Sequence, residues 1–370
     1  MAKLHVGLLF GGRSVEHRVS IVSATAIFNA LDRDKYEVSP ILIDPEGRWH
    51  LAPSDYKGAL ERVSREDEVI LRPDASGGHL QSLNPKSRTA SENRPLDVIF
   101  PIAHGRGGED GSVQGLLELA SVPYVGSGVL SSALQMDKDF AKQVLKLSGL
   151  PVLPWVTIRS DELSERGARK WAEDIIEQLA LPVFVKPANS GSSIGISKAE
   201  DVTSLTKSLE EASRFDDKVI VERAVEAREI EIAILGNASC KASVPGEIIP
   251  RHDFYDYQAK YQDESTELVI PAEIPPSVTE KLQELAIRAA KALEARGMTR
   301  VDFLIEADNQ NVWINELNSL PGFTSGSMYP RLWAATGTSF SALLDRLIEL
   351  ALERHDQRIR LQTAAPPASL

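Results

Sequence analysis

Four residues in the last third of the chain have the types and spacing of a metal-binding floor. Arg300 and Asp302 open the run RVDFLIE, and Glu316 and Asn318 close the run VWINELN. Residues two apart along a strand face the same way, so each pair shares a face. Two neighbouring strands then present Asp302, Glu316 and Asn318 together, beside one arginine. Hard oxygen donors in that number suit magnesium, which keeps several waters and shares its remaining positions with substrate phosphates. A tight loop containing Pro321, Gly322, Thr324 and Ser325 follows. The stretch 312–328 therefore reads as the metal floor of a nucleotide site.

Phosphate needs donors as well as metal. Residues 189–195, NSGSSIG, are small and rich in backbone N–H and hydroxyl groups, and glycine and serine let a backbone approach a triphosphate closely. There is no GK[ST], so this is not a Walker loop, and a plain Ser/Gly turn is an equal reading of the loop alone. Lys186 ends the apolar run FVK just before it, where a lysine is costly to bury without an anion. Lys138 and Lys260 are further candidates, although single lysines are more often solvated. Glu222 ends the run KVIVE. The Arg223-Ala224-Val225 segment after it resembles a hinge holding adenine through backbone groups, and Glu229 follows as an acceptor for ribose hydroxyls. On spacing alone, a solvated strand-end carboxylate is the better reading of Glu222. Glu16 stands near the start of a helix, where the dipole favours it whatever its role. His104 stands in HGRGGEDG at a strand end, as a turn histidine or a ligand contact.

The elements that must position these residues read as α/β. Residues 4–10 are an apolar run broken only by His5, as in a buried parallel strand. A Gly-Gly turn, a helix with Ser14 as its N-cap and a second strand over 38–43 complete a βαβ unit. The glycines do not form GxGxxG. Residues 45–96 read as a polar surface excursion with short elements, and 97–102 returns to the sheet. A helix over 131–147 carries Lys138. Helices over 161–180 and 201–213 flank strands at 182–186 and 218–222. Strands resume from 230, a helix spans 277–296, and the last helix runs 339–355. The polar, aromatic segment 250–266 has no period and is expected to be a lid. The tail 357–370 is expected to be disordered.

Composition bounds the function. At 370 residues, a prior of ~150 residues per domain gives two or three domains. A net charge of -12 argues against a nucleic-acid partner. No run is apolar enough to span a membrane and none resembles a signal peptide, so a cytoplasmic protein is expected. The single Cys240 excludes an internal disulfide and reads as a packed small hydrophobe.

With these pieces assembled, the chain resembles the ATP-grasp enzymes, and within them the D-alanine–D-alanine ligases of the longer A type. The resemblance rests on GGRSVEHRVS (11–20), HGRGGEDGSVQG (104–115), MDKD (136–139), FVKPANSGSSIG (184–195), DFYDYQAKY (253–261), RVDF (300–303) and INELNSLPGFTSGSMYP (314–330). It implies an ATP-grasp fold of mixed α/β and α+β character in three domains. These are a Rossmann-like domain over 1–130, a central clasp over 131–228 and a catalytic domain over 229–356. It implies that Asp302, Glu316 and Asn318 bind two magnesium ions, which manganese can replace. Lys138, Lys186 and Lys260 would contact phosphates under the loop carrying Ser193. Glu222, Ala224, Val225 and Glu229 would hold the adenosine of ATP. Glu16, Ser192 and Tyr261 would form a hydrogen-bonded trio near the first D-alanine, with His104 close by. Arg300 and the Gly322 amide would hold the oxygens at its carboxyl carbon, and Ser327 and Met328 the carboxylate of the second D-alanine. A homodimer is also implied.

Ligases that make D-alanyl–D-lactate depart from the Lys-Tyr pair in the lid. Lys260 and Tyr261 are intact here, which favours an amine nucleophile. Ala224 replaces an aromatic found in some relatives, so a changed adenine wall is expected. A depsipeptide or mixed-dipeptide ligase is the nearest alternative. An oxidoreductase is disfavoured by the missing GxGxxG, and a non-catalytic nucleotide module by the intact Arg300, Asp302, Glu316 and Asn318.

Overall fold

The computed structural model describes residues 2–52, 60, 63, 67–75, 77–84, 95–249, 267–307, 311–324 and 326–361. Three sheets organise them. In the first, β1 (Leu4–Gly11) is the hub, pairing in parallel with β2 (Tyr36–Ile43) and β6 (Val98–Pro101). Its residues from His5 to Gly11 are all buried, which is what a near-continuous apolar run in a parallel sheet demands. The short elements expected in the polar excursion are strands. Its described parts form β3 (Trp49–Leu51), β4 (Glu68–Leu71) and β5 (Leu80–Ser82), which extend the sheet antiparallel in the order β5-β4-β3-β2-β1-β6. Helix α1 (His17–Ala30) packs on β1, and α2 (Ser112–Leu119) follows β6. The N-cap of α1 is Glu16, not Ser14. Ser14 Oγ instead donates to the His104 carbonyl at 2.7 Å and accepts from Glu16 N–H at 3.2 Å.

The expected helix over 131–147 is two helices, α3 (Val129–Met136) and α4 (Lys138–Leu147). Asp137 between them is extended, and its carboxylate caps the Phe140 N–H, a side-chain bond that competes with continuing the helix. The central sheet has the order β7-β10-β8-β9, all antiparallel, from β7 (Trp155–Arg159), β8 (Val183–Pro187), β9 (Ser197–Ala199) and β10 (Lys218–Arg223). Its helices are α5 (Ser160–Arg166), α6 (Ala168–Leu179) and α7 (Val202–Ala212). The helix expected over 161–180 is split into α5 and α6 by Gly167, whose φ of +84° glycine adopts without strain.

The third sheet runs β14-β13-β11-β15-β16, with β12 on the far end of β11. Its strands are β11 (Ala227–Gly236), β12 (Cys240–Ala242), β13 (Gly246–Ile249), β14 (Glu267–Val269), β15 (Gly297–Glu306) and β16 (Val312–Asn318). Helix α8 (Pro276–Ala292) covers one face, and α9 (Met328–Ala335) and α10 (Phe340–Ile359) close the chain. The last helix thus continues past the expected end at 355, through part of the expected tail, whose residues 362–370 lie outside the described residues. Cys240 is half-buried and packs against the core of this sheet. Among the described residues no helix is long and apolar enough to cross a membrane.

Two cores tie the sheets together. In one, Ala141 and Leu145 of α4 pack with α8 on Ile232, Val301 and Ile314 of the third sheet. In the other, Phe10 and Ile27 of the first sheet's layer share a core with Phe323, Tyr329 and the Leu343, Leu344, Leu347 face of α10. Phe323 sits at its centre, fully buried, with ring centroids 5.6 Å from Tyr329, 5.7 Å from Phe340 and 6.0 Å from Phe100. Phe323→Ala is expected to cost about 3–5 kcal/mol, read as a lower denaturant midpoint at unchanged slope.

Candidate active site

The metal floor forms as the strand alternation requires. Pairing of β15 with β16 sets Arg300 opposite Asn318 and Asp302 opposite Glu316, with a bulge just after Asp302. On the other side, β11 sets Glu231 opposite Asp302. Three carboxylates therefore stand in a row across three strands, an arrangement that repels itself unless cations intervene. Arg300 supplies one. Its Nε and Nη2 each donate to Asp302 at 2.7 Å, and Nε lies 3.1 Å from Glu231 Oε2. Burial alone would lower the guanidinium pKa, but Asp302 and Glu231 raise it well above its ordinary value. Asn318 Nδ2 donates to Asp302 Oδ2 at 2.9 Å. Glu231 escaped the sequence reading. The alternation EIEI in β11 was its only signal, and that does not say which strand lies beside β11.

The donor set fits a hard divalent cation. Asp302 and Glu316 offer carboxylate oxygens and Asn318 an amide oxygen, in a row whose negative charge exceeds what Arg300 balances. No group of three or more His, Cys, Asp or Glu poised to hold a metal occurs among the described residues. With two carboxylates and one amide oxygen as donors, an ion here would complete its shell with substrate oxygens and water.

The other two sheets deliver the walls. Ser192 Oγ donates to Glu16 Oε1, so the 189–195 loop docks on the start of α1. A Cβ at Gly191 would stand 2.9 Å from Glu16 Oε2, so a larger residue there would make the Glu16 carboxylate shift. Ser192 and Ser193 hold φ of +48° and +58°, a left-handed conformation that costs energy and that the docking maintains. Asp216 anchors the other end of the loop, accepting from Asn189 N–H at 2.6 Å, and Arg106 of the HGRGGEDG turn lies 3.1 Å from the same carboxylate. The helix break at Asp137 puts Lys138 at the first position of α4. From there its Nζ donates to the Ser190 carbonyl at 2.8 Å and lies 3.4 Å from Glu316 Oε2. His104 is buried, with Nδ1 3.0 Å from the Leu320 carbonyl and Nε2 3.3 Å from Ser23 Oγ. Burial lowers its pKa more than Glu16 raises it, so the ring is neutral. Glu109 of the same turn, also missed as an individual site residue, accepts from Gly105 N–H at 2.6 Å. Burial first, and the Glu16 charge second, push its carboxyl up to about 8.

At the nucleotide end, Lys186 Nζ lies 2.5 Å from Glu222 Oε2. Lys142, buried on α4, lies 2.9 Å from Oε1 of the same carboxylate. Burial alone would raise the Glu222 pKa, but the two ammonium groups hold it at about 2. Glu229 is half-buried and acts electrostatically on Lys186. Ala224 and Val225 lie half-buried in the short link between β10 and β11. The Ala224 N–H is already taken by the Pro182 carbonyl at 3.0 Å, so this residue offers an adenine only its carbonyl.

At the opposite end, Ser327 is the N-cap of α9, and its Oγ accepts from Thr324 N–H at 3.0 Å. Met328 begins the helix with its side chain buried, leaving the helix N-terminus as a natural seat for a carboxylate. A cavity of about 570 Å³ brings together Glu16, His104, Lys138, Ser192, Ser193, Arg300, Glu316, Asn318, Gly322, Ser327 and Met328. Asp302 lies beneath it, bonded to Arg300 and Asn318. Lys186, Glu222, Ala224, Val225 and Glu229 do not line this cavity. Glu316 links the two regions, since it pairs with Lys138 and its charge also raises the pKa of Lys186. Lys260, Tyr261 and the expected lid over 250–266 lie outside the described residues, as does Ser325.

An antiparallel sheet and a carboxylate-floored sheet, with lysines and a Ser/Gly loop between them, define an enzyme of the ATP-grasp fold. Residues 5–127 match the family described as D-ala D-ala ligase N-terminus, and residues 144–349 the D-ala D-ala ligase C-terminus. The chain belongs to the D-alanine–D-alanine ligase family, whose members are ligases. It is 47% identical over 365 residues to a D-alanine–D-alanine ligase of Caldicellulosiruptor bescii, covering 97% of this chain and 98% of that one. It is 45% identical to the D-alanine–D-alanine ligase A of Salmonella typhimurium, covering 98% and 100%. Among solved structures, the D-alanine–D-alanine ligase from Coxiella burnetii superposes with a TM-score of 0.82 at 39% identity, covering 97% of each chain. A D-Ala:D-Ser ligase from Enterococcus faecalis also gives 0.82, at 34% identity, covering 95% of this chain and 100% of that one.

The Glu109 carboxyl carries a consequence for stability. Its folded pKa of about 8 lies above the ordinary 4.5, so the folded state keeps a proton that the unfolded state releases. The stabilisation is fully present below about 4.5 and is lost as pH rises through about 8. Thermal unfolding from pH 5 to 8 is expected to show a falling wild-type Tm relative to Glu109→Gln.

Proposed function

We propose that the protein joins two D-alanines into D-alanyl–D-alanine for peptidoglycan precursors, consuming ATP and releasing ADP and phosphate. The observation that carries this reading is the single cavity in which the carboxylate floor, Lys138, Arg300, the Gly322 amide and the Ser327 helix terminus converge. A carboxylate is a poor electrophile. Transfer of the γ-phosphoryl onto the first D-alanine makes an acyl phosphate with a good leaving group. Lys138 and Lys186, with Lys260, hold phosphates, and the 189–195 loop covers them. Asp302, Glu316 and Asn318 would hold magnesium, or manganese in its place, which would supply charge neutralisation for this transfer. Glu16, held by Ser192, and the neutral His104 border the first D-alanine. The amine of the second D-alanine, positioned by its carboxylate at Ser327 and Met328, then attacks the acyl carbon. Arg300 and the Gly322 N–H stabilise the oxyanion, a role in which one well-placed donor is worth ~3 kcal/mol. Phosphate leaves with its P–O bond intact, and the dipeptide remains.

The same reading includes the three-domain division at 1–130, 131–228 and 229–356, closure of the 250–266 lid to exclude water, a homodimer and a cytoplasmic location. The test is phosphate release from ATP with D-alanine, L-alanine, D-serine or D-lactate supplied singly and in pairs. D-alanine alone is expected to yield phosphate and dipeptide in equal amounts. No phosphate and no dipeptide with D-alanine and magnesium would overturn the reading, and a preference for D-lactate or D-serine as second substrate would redirect it. Glu316→Gln is expected to lower turnover on the order of a hundredfold or more, with a weakened response to magnesium concentration.

A further inference from the structure

Glu222 is shared by two lysines that are not equivalent. Lys142 stands one helical turn beyond Lys138, with its side chain 2% exposed, and Nζ lies 2.9 Å from Glu222 Oε1. The Trp155 ring lies 5.7 Å from its Nζ. Among the described residues Lys142 is enclosed, with almost no surface open to the cleft. Lys186 reaches the other oxygen, Oε2, from β8 and is 13% exposed. Its surroundings are richer in alternatives: Asn315 Oδ1 is 3.5 Å away, and the charges of Glu316 and Glu229 act on it as well as that of Glu222.

Two ammonium groups converge on the two oxygens of one buried carboxylate. A single lysine would suffice to keep Glu222 ionised, so the second needs a reason. Moving Lys186 toward a phosphate would otherwise strip a buried carboxylate of its partner, which is strongly unfavourable. We propose that Lys142 is a positioning residue: it stays on Glu222 as a fixed counter-cation, so that Lys186 is free to leave that carboxylate for the phosphates of a bound nucleotide. The proposal rests on the reading of this end of the cleft as the nucleotide site. In it, Lys142 never touches ATP. It acts by making the departure of Lys186 inexpensive and by holding Glu222, next to the Ala224–Val225 link, in one place throughout. The pKa directions agree: burial and the charge of Lys186 press Lys142 down, with Glu222 opposing, whereas the surrounding carboxylates lift Lys186 above its ordinary value.

The test is Lys142→Met, an unbranched apolar replacement, measured as the whole chain. Without nucleotide the variant keeps a neutral Lys186–Glu222 pair, so its Tm is expected to equal or exceed the wild-type value. Calorimetric titration with magnesium ATP in the absence of D-alanine is expected to show binding weakened about tenfold or more, because Lys186 is now the one lysine left on Glu222. KM for ATP rises accordingly while KM for D-alanine stays within about twofold. In the Glu222→Gln background no charge at residue 222 holds Lys186, and the same Lys142→Met change is expected to cost less than about threefold. A lowered Tm without nucleotide would make Lys142 a structural residue and overturn the proposal. So would wild-type ATP affinity in K142M, or an equal loss in both backgrounds. Failure of the wild-type chain to bind magnesium ATP would instead overturn the nucleotide reading itself.

Discussion

The chemistry of this molecule depends on register in the third sheet. Strands β11 and β15 pair over ten residues, from Ala227 opposite Glu306 to Gly236 opposite Gly297, and β16 then pairs with β15. A slip of one residue would turn Asp302 and Glu316 onto the face that buries Val301, Phe303 and Leu317. The register is held from that apolar side, where α4 and α8 cover the sheet and leave no alternative burial of similar quality. The row of carboxylates on the opposite face is thus imposed on the chain by packing beneath it. Arg300 and Lys138 then make that row tolerable.

A second constraint is compensation of buried charge. Arg300 lies between Asp302 and Glu231, Glu222 between Lys142 and Lys186, and Lys218 between Asp137 and Asp139. Asp137 also caps α4, so the Lys218 cluster fixes the helix break that brings Lys138 into the site. Buried ion pairs contribute little net stability compared with apolar packing, and their value lies in selecting one arrangement. Here they orient the floor within the third sheet, and the helix break and the nucleotide end between α4 and the central sheet.

Legibility in the sequence followed the range of the interaction. The faces of Arg300, Asp302, Glu316 and Asn318 were readable because a strand period of two is local. The Ser/Gly loop after FVK was readable for the same reason, since backbone freedom belongs to the residues themselves. Glu16 and His104 were legible through their motifs, and the Glu16–Ser192 bond through the family resemblance, but the meeting of His104 with Leu320 needed the fold. Lys142 and Glu231 gave almost no signal. Lys142 reads as one polar position of an amphipathic helix, and only the packing of α4 against the end of β10 makes it a partner of Glu222. The strands β3 to β5 were hidden by brevity, since three or four residues between polar turns carry too little alternation to count. The break at Asp137 was hidden because a capping aspartate inside an otherwise helical pattern looks like an ordinary surface residue.

The core around Phe323 has a consequence for how this protein can be recombined. The first sheet looks like a detachable unit, with its own strands, helices and βαβ start. Yet the apolar layer of α1 and β1 is covered by Leu343, Leu344 and Leu347, and Tyr36 and Lys35 bond to Asp345. The chain's beginning is therefore roofed by its end. A chimera that exchanges the first 130 residues with those of a relative brings together a floor and a roof selected apart, unless α10 travels with the graft. The inheritable module is discontinuous, made of the first sheet plus the final helix.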